Sequence, residues 1–223
     1  IDVSWSRTYN GGGPWLDMPY VVTVGQDGNL YVAGTTSTIT GGQDFITLKY
    51  SPTGELLWKR TFDGPGHVAD DLIGCVVDNA GNVYAAGYAG FQGGSSKIEW
   101  VVLKYSPSGV LEWMREYDPT PEYDYQHLVG GIAIDLDGNL IVGGSTMSST
   151  TYQDFRTVKY SPSGDIIWAR TYTSNNTNLN SEDWVHSVAV DASNNVVVVG
   201  SAGDSISVIK YMPNGDFVWK RSY

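Results

Sequence analysis

Short apolar runs separated by tight-turn sequences recur four times along this chain. In the third copy the runs cover Val129–Ile134, Leu140–Val142, Phe155–Tyr160 and Ile166–Tyr172. Runs of this length, rich in valine, isoleucine, tyrosine and threonine and bounded by Gly, Asn or Pro, predict β-strands. The four strands of a copy are labelled A, B, C and D in chain order.

Two motifs set the period of the repeat. The pattern Trp-x-Arg-x-aromatic marks strand D, and its successive copies are 53, 55, 55 and 51 residues apart. It begins at Trp5, Trp58, Trp113, Trp168 and Trp219. A Lys-Tyr pair ends strand C in every copy and leads into a Pro-x-Gly turn, in which proline fixes φ and glycine supplies a positive φ.

The regular period favours one all-β architecture over the others. Four antiparallel strands repeated about every 50 residues are typical of a β-propeller blade. Each copy has apolar residues on both faces, so single blades must stack to bury them. A β-sandwich and an up-and-down barrel are the competing folds, and the strict four-strand period disfavours both. The sequence predicts an all-β fold, a β-propeller with four blades of four antiparallel strands.

Strand D occurs once more than the other strands, because residues 1–9 carry a fifth copy of its motif. This extra D-type strand has three explanations: the chain is a fragment of a larger propeller, the strand packs as a spare edge, or it pairs with a neighbouring subunit. We expect a single domain over 1–223. Its predicted blades cover 10–62, 63–117, 118–172 and 173–223.

Composition excludes several classes of partner. The formal net charge is −11, so nucleic acid is not expected as a partner. No run of 18 or more apolar residues predicts a membrane span. The single cysteine, Cys75, lies in an apolar run and is expected to be a buried hydrophobic residue.

Function is expected on the longer D–A and B–C connections, because variable loops on a rigid scaffold usually carry it. Aromatic residues there that occur in only one copy are candidates for stacking on a sugar or anchoring a protein. They are Trp15, Phe91, Tyr123, Tyr125, Tyr152 and Trp184. The alternative interpretation is that these rings pack over the ends of their own blades.

A second candidate set stands eight positions before the residue at which each A–B turn begins. Its members are Asp17, Asp70, His127 and Asp183. They could form a ring that collects a cation or hydrogen-bonds a ligand. The favoured interpretation is that they hydrogen-bond loop backbone, as a recurring aspartate at a strand start usually does.

Motifs of known chemistry are missing. The segment Asp135–Asn139 resembles a calcium loop, but no glutamate stands at the twelfth position and it is interpreted as a hairpin turn. The carboxylates Asp44, Glu99 and Asp154 recur, so scaffold hydrogen bonds or pairs with Lys or Arg are favoured over an acid/base pair. No catalytic residue, metal ligand or cofactor is assigned, and the chain is not expected to be an enzyme.

The in-register copies of Gly-Asn-Val-Tyr, Asp-x-x-x-x-Lys-Tyr, Ser-Pro-x-Gly and Trp-x-Arg-x-Tyr resemble the SBBP-type β-propeller repeat of secreted bacterial proteins. The resemblance covers nearly the whole chain and implies a propeller in an extracellular or cell-surface setting, without shared catalytic residues. The leading hypothesis is a non-enzymatic binding or adhesion module that recognises glycan or protein through the D–A/B–C loops. The alternatives are a structural subunit of an extracellular assembly, self-associating through residues 1–9, a fragment of a larger propeller, and a hydrolase.

Overall fold

The computed structural model describes residues 4–39, 42–67, 69–90, 98–118, 127–147, 153–174 and 183–223. Within these ranges the regular elements are sixteen β-strands, and no helix occurs that could cross a membrane. The strands form four antiparallel sheets of four strands each, in chain order within every sheet. The predicted propeller with four blades is thus confirmed.

Each sheet is one blade. Blade 1 contains β1 (Met18–Val24), β2 (Leu30–Ser37), β3 (Gln43–Tyr50) and β4 (Leu56–Phe62). Blade 2 contains β5 (Asp71–Val77), β6 (Val83–Gly90), β7 (Ile98–Tyr105) and β8 (Leu111–Tyr117). Blade 3 contains β9 (His127–Ile134), β10 (Leu140–Met147), β11 (Gln153–Tyr160) and β12 (Ile166–Tyr172). Blade 4 contains β13 (Asp183–Val190), β14 (Val196–Ala202), β15 (Ser205–Tyr211) and β16 (Phe217–Ser222).

The strands extend further toward the loop end than the apolar runs indicated. In blade 3, β10 continues five residues beyond Val142, and β11 starts two residues before Phe155. The additional residues are paired in the ladder, with Thr146 opposite Asp154. Backbone hydrogen bonding continues there although the side chains are polar, so the apolar pattern underestimated strand length.

Two compact units divide the chain, Ile1–Ser95 with Val101–Met114, and Ser96–Trp100 with Arg115–Tyr223. The division passes through β7 and β8. The prediction of one domain over 1–223 is therefore still a prediction, while the four predicted blade ranges each enclose one sheet.

Each blade has two apolar faces, and within each unit the two blades pack together through opposite faces. One face carries the tryptophan of strand D and is called here the tryptophan face; the face of the next blade that covers it is called the receiving face. In the first unit, Phe45 and Trp58 on the tryptophan face of blade 1 share a buried cluster with Cys75, Leu103 and Tyr105 of blade 2. The core of the repeat therefore lies between sheets.

The second unit repeats this packing. Phe155 and Trp168 of blade 3 form a buried cluster with Val188, Ile209 and Tyr211 on the receiving face of blade 4. Tyr211 takes the place that Tyr105 has in blade 2, since both are the tyrosine of the Lys-Tyr pair. The recurrence shows that the Lys-Tyr motif of one copy and the Trp-x-Arg motif of the preceding copy meet in the same joint.

A turn carbonyl that recurs between copies anchors both joints described here. Trp58 Nε1 donates a hydrogen bond to the Pro107 carbonyl at 3.1 Å, and Trp168 Nε1 donates to the Pro213 carbonyl at 3.0 Å. Lys49 and Lys159 donate to the same two carbonyls at 3.2 and 3.0 Å. The Pro-x-Gly turn, predicted only to close a hairpin, is thus also the docking point for the preceding blade.

The glycine that follows each strand B run marks a close approach between strands. A Cβ atom on Gly200 would lie 1.9 Å from the Trp184 carbonyl oxygen and 2.7 Å from the Phe155 ring. The register of β13 against β14 shifts between Val185 and Ser187, so the bulge brings the backbone of β13 toward Gly200. Any larger residue there would have to push strand A away.

The extra D-type strand expected over residues 1–9 differs in the structure. Residues 4–9 belong to no strand and to none of the four sheets. Trp5 nevertheless makes the side-chain contacts of a strand D tryptophan, since its Nε1 donates to the Pro52 carbonyl at 3.1 Å. Trp5 therefore docks on blade 1 through its side chain, although residues 4–9 pair with no strand.

We expect Trp168→Ala to lower the free energy of unfolding by roughly 3–5 kcal/mol, because it empties the joint between blades 3 and 4. Trp219→Ala is the matched control: this tryptophan occupies the same position of strand D but is only partly buried, and its loss should cost clearly less than that of Trp168. Urea unfolding followed by circular dichroism measures both. Equal losses for the two variants would contradict the joint as the source of stability.

Candidate functional site

The recurring aspartates at the start of strand A close the loop end of each blade. Asp17 accepts hydrogen bonds from the Gly11 and Ser37 amides at 2.9 and 3.0 Å and from Thr36 Oγ1 at 2.6 Å. One carboxylate therefore joins the loop before strand A to the end of strand B. These bonds fix the ends of the loop to the sheet largely through backbone amides, so they depend little on the side chains in the middle of the loop.

Asp70 and Asp183 make the same connection in their blades. Asp70 accepts from the Gly64 and Gly90 amides. Asp183 accepts from the Ser174 amide and hydroxyl at 2.8 and 2.9 Å and from the Gly203 amide at 3.0 Å. Both side chains are almost fully buried. These hydrogen bonds to loop backbone agree with the interpretation that the sequence favoured, and they leave little carboxylate surface for a ligand.

His127 occupies the same position in blade 3 and is as deeply buried as Asp70 and Asp183. Its side chain is 1% exposed, and Nε2 lies 3.5 Å from Oδ1 of Asp118 in the loop before the strand. The histidine therefore connects to a loop side chain where the aspartates connect to loop backbone.

The aromatic candidates that the structure describes differ in how far their side chains are exposed. Trp15 is 66% exposed, whereas Trp184 is half-buried on β13. Four candidates lie outside the described residues: Phe91, Tyr123, Tyr125 and Tyr152. Within the described part of the chain, Trp15 is thus the aromatic candidate that the loop end presents to solvent.

Two aliphatic residues that sequence reasoning missed accompany Trp15. Leu16 is 73% exposed and Ile39 is 83% exposed. Their loops are held against each other, because the Trp15 amide donates to Ser37 Oγ at 3.0 Å and Gly12 forms a β-bridge with Thr38. Trp15, Leu16 and Ile39 are called here the loop-end patch. Apolar residues in otherwise polar loops of a single copy were the signal that could have revealed it.

Three carboxylates converge at the loop end of blades 1 and 2, within the first unit. Ligand oxygens of Asp44, Asp63 and Asp70 all lie within 4.8 Å of one another, and only Asp63 is exposed. Burial, with the nearby charges of Asp44 and Asp63, raises the pKa of Asp70 to about 7 against the opposing backbone hydrogen bonds. Burial also raises the pKa of Asp44.

This carboxylate group has the donor set of a hard cation such as Ca²⁺ or Mg²⁺. Its two buried members already accept hydrogen bonds, Asp70 from backbone amides and Asp44 from Thr38, and His67 Nδ1 lies 2.7 Å from Asp63 Oδ2. The sequence grouped Asp44 with Glu99 and Asp154 and did not predict that Asp63 and Asp70 would join it.

The opposite end of the blades carries a column of ion pairs. For Asp44, Glu99 and Asp154 the sequence favoured scaffold hydrogen bonds or ion pairs with the Lys or Arg columns, and Asp44 does accept a hydrogen bond from Thr38. Three strand C lysines contact acids of the A–B turns: Lys49 with Asp27 at 3.2 Å, Lys159 with Asp135 at 2.6 Å, and Lys210 with Asp191 at 2.7 Å. The turn acids lie at the same end of the sheet as the lysines, whereas the strand C acids lie at the other end.

Asp135 shows what the calcium-like segment does. Its carboxylate accepts from the Asp137 and Asn139 amides at 2.9 and 2.8 Å, and Gly138 has φ of 81°. Burial opposes ionisation, yet the hydrogen bonds from Lys159 and Asn139 keep the pKa of Asp135 below its ordinary value. The segment is a hairpin turn that also receives the strand C lysine.

The raised pKa of Asp70 predicts a pH-dependent stability. The folded chain holds a proton on Asp70 between about pH 4 and about pH 7, where the unfolded chain has released it, so the stability contributed by this group should fall as pH rises through that window. Asp44→Asn removes a neighbouring negative charge and should lower the midpoint of this fall. Denaturant unfolding from pH 4 to 8 measures the profile, and ¹³C NMR measures the titration of the Asp70 carboxyl.

The control is Asp165→Asn, which changes an exposed turn acid far along the chain and should leave the Asp70 titration unchanged. An Asp70 midpoint near 4 in the unaltered chain would contradict the proposed coupling.

Comparison with known proteins supports the repeat architecture. A family model described as a β-propeller domain of unknown function (DUF5122) matches residues 25–56 and 136–166. Each matched segment runs from an A–B turn to the start of strand D. Among curated proteins, none matches the sequence of this chain.

Solved structures share the fold at low sequence identity. A Dyadobacter fermentans protein of unknown function has a TM-score of 0.55 and 13% identity, over 90% of this chain and 67% of its own. PorZ, a surface component of the type-IX secretion system of Porphyromonas gingivalis, has a TM-score of 0.50 and 10% identity, over 97% and 29%. A luciferin-regenerating enzyme has a TM-score of 0.50 and 11% identity, over 94% and 64%.

This chain therefore spans about two-thirds of the length of two of these proteins and less than a third of PorZ. At such identities the likeness extends to the fold alone. Together with the family-model match and the four repeated sheets, it identifies the chain as a β-propeller repeat protein.

Proposed function

We propose that this chain is a non-enzymatic binding module that recognises a protein partner through the loop-end patch. The observation that carries the proposal is the exposure of Trp15, Leu16 and Ile39, by 66, 73 and 83%, on loops that are hydrogen-bonded to each other. Exposed tryptophan surrounded by apolar surface is the usual anchor of a protein interface. Because the loops are already fixed, little conformational entropy is lost when a partner binds.

The neighbours of Trp15 favour protein over glycan. A sugar that stacks on an indole ring needs polar side chains around it to bond its hydroxyls. Leu16 and Ile39 supply aliphatic surface, which fits the apolar core of a protein contact. Glycan recognition, the other ligand class expected for these loops, is an outcome of the test.

A subunit of an extracellular assembly is the second candidate function. It is favoured by Val22 and Val24 on β1, which are 61 and 65% exposed on the receiving face of blade 1. The position of Val22 is filled by Cys75 in blade 2 and Val188 in blade 4, and those side chains are buried. The receiving face of blade 1 thus exposes apolar side chains at a position that is buried in blades 2 and 4, and such a surface fits contact with another sheet.

A hydrolase is supported less well. Asp44, Asp63 and Asp70 do converge, and one of them has a pKa near neutrality. Asp70, however, uses its oxygens to hold the backbone of two loops, which is the role that Asp17 and Asp183 have in other blades. A recurring structural role is the simpler account of its burial.

We further infer that the repeats are of the SBBP type and that the protein acts outside the cell or at its surface. Four in-register copies of the repeat motifs support the first inference. The surface location that the name of PorZ states for that protein agrees with the second.

The test compares the unaltered chain with the triple variant Trp15→Ala/Leu16→Ser/Ile39→Ser. Both are immobilised and presented to the surface and secreted proteins of the producing organism, and both are applied to a glycan array. We expect the unaltered chain to retain a specific protein and the variant to bind it roughly 30-fold more weakly, since an aromatic anchor contributes about 2 kcal/mol or more. Thermal unfolding should be unchanged, because the three side chains are exposed.

Leu136→Ser provides the matched control, because Leu136 is 71% exposed but lies in a turn at the opposite end of blade 3. Its binding should equal that of the unaltered chain. Retention of a sugar that the triple variant loses would replace the protein ligand with a glycan, and equal binding by the triple variant and the unaltered chain would reject the patch.

A further inference from the structure

The joint of blades 1 and 2 contains a carboxylate at a position where the other blades have none. Asp71 directly follows the recurring position of Asp70 and pairs with Tyr88 of β6. The other blades have an apolar residue at the position of Asp71: Met18, Leu128 and Trp184. Because those blades fold without it, this carboxylate is not needed to build a blade.

Two tyrosines that also occur in one copy alone accompany Asp71. The Tyr88 hydroxyl donates to Asp71 Oδ2 at 3.2 Å. The other blades have a small hydroxyl residue at the position of Tyr88: Thr35, Ser145 and Ser201. Tyr20 is the bulged residue of β1, since the register shifts between Pro19 and Val21. The bulged residues of the other blades are Ile73, Gly130 and His186.

The bulge places Tyr20 beside the same carboxylate. In blade 4 the side chains at the equivalent positions touch, since His186 Nε2 lies 2.9 Å from Ser201 Oγ. In blade 1 Thr35 takes the place of Ser201, and its hydroxyl donates to Asp71 Oδ1 at 3.1 Å. Burial and the charge of Asp71 raise the pKa of Tyr20 against a hydrogen bond from Thr35, in agreement with this placement.

The protein does not neutralise the carboxylate of Asp71. Within the described ranges, no lysine, arginine or histidine forms an ion pair with it. Its two oxygens accept one hydroxyl proton each, from Thr35 and Tyr88, and each oxygen has room for a second hydrogen bond. Because those two hydroxyl protons are used, the positions left open are acceptors. Open acceptors around one negative charge fit a ligand that is positively charged and donates hydrogen bonds.

The group is accessible to a ligand of this kind. Tyr20 is 47% exposed, and Asp71 and Tyr88 are half-buried. The face of a tyrosine ring attracts a cation, and the net charge of −11 draws cations to the protein. A metal ion fits less well, because Ca²⁺ takes about six to eight oxygen ligands and this group has a single carboxylate.

We propose that Tyr20, Asp71 and Tyr88 form a binding site for an organic cation that carries N–H donors, an alkylammonium or guanidinium group. Asp71 is the anionic partner, and the two tyrosines supply ring faces and hydroxyl acceptors. The lysine or arginine side chain of a protein and a free alkylamine carry this same chemistry. The site shares no residue with the loop-end patch and goes beyond the function proposed above.

The experiment is an NMR titration of the full chain, labelled with ¹³C in its tyrosine rings, with n-butylammonium chloride as the probe. We expect saturable shifts of the Tyr20 and Tyr88 signals with a dissociation constant of roughly 1–10 mM, as suits a small cation held by few contacts. n-Butanol controls for apolar contact and sodium chloride for ionic strength. Neither control should produce these shifts.

Two variants divide the contributions, and circular dichroism establishes that both are folded. Asp71→Asn keeps the shape of the side chain but removes its charge, and should weaken binding at least about tenfold. Tyr20→Ile installs the residue that blade 2 has at the bulge, and should weaken binding roughly two- to fivefold. Glu55→Gln is the matched control, because Glu55 is an exposed acid at the opposite end of blade 1. Its binding should equal that of the unaltered chain.

A blocked tripeptide with a central lysine, and its arginine counterpart, distinguish the two sources of the cation. Tighter binding of a peptide than of n-butylammonium would assign the site to a protein side chain, and equal or weaker binding would assign it to a free amine. Unshifted Tyr20 and Tyr88 signals with n-butylammonium up to about 100 mM would overturn the proposal. Equal binding by folded Asp71→Asn would do so too, and if that variant does not fold, equal binding by Tyr20→Ile decides in the same way.

Discussion

Within each unit, the packing of the two blades depends on one indole ring inserted under the Pro-x-Gly turn of the following blade. The ring buries a large apolar surface, and its single polar atom finds a partner in the proline carbonyl. A lysine from the same blade donates to that carbonyl too, so one turn oxygen satisfies two buried donors. The turn must keep its shape for the tryptophan 45 or 49 residues earlier to dock, which couples the two blades of each unit.

Much of the fold could be predicted because its determinants are local. The turn residues give the hairpins, the period gives the blade, and the apolar residues on both faces give the stacking. The Pro-x-Gly turn shows the limit of such reasoning: its hairpin role is visible in four residues, whereas its role as the acceptor for Trp58 depends on a residue 49 positions away. The extra D motif likewise predicted a strand, but a strand also needs neighbours, and residues 4–9 have none in the described sheets.

The candidate site was less accessible to the sequence. The recurring aspartates were recognised from their spacing, and their hydrogen bonds to loop backbone follow from standing at a strand start. The approach of Asp63 to Asp44 and Asp70 combines residues of two blades, and no spacing in the sequence encodes it. Exposure is equally non-local: Trp15 and Trp184 are both unmatched aromatics beside the same recurring aspartate, yet one points to solvent and the other is half-buried.

The aspartate at the start of strand A has a consequence for how such a chain can diversify. Because one carboxylate ties the end of the D–A loop to the end of strand B, the residues between these fixed points carry little responsibility for holding the blade together. Lengthening a loop whose ends are already closed costs only a few tenths of a kcal/mol to about 0.6 kcal/mol per doubling. The loops can therefore be exchanged, lengthened or randomised one blade at a time, and the scaffold offers evolution and the protein engineer separate sites that mutate independently.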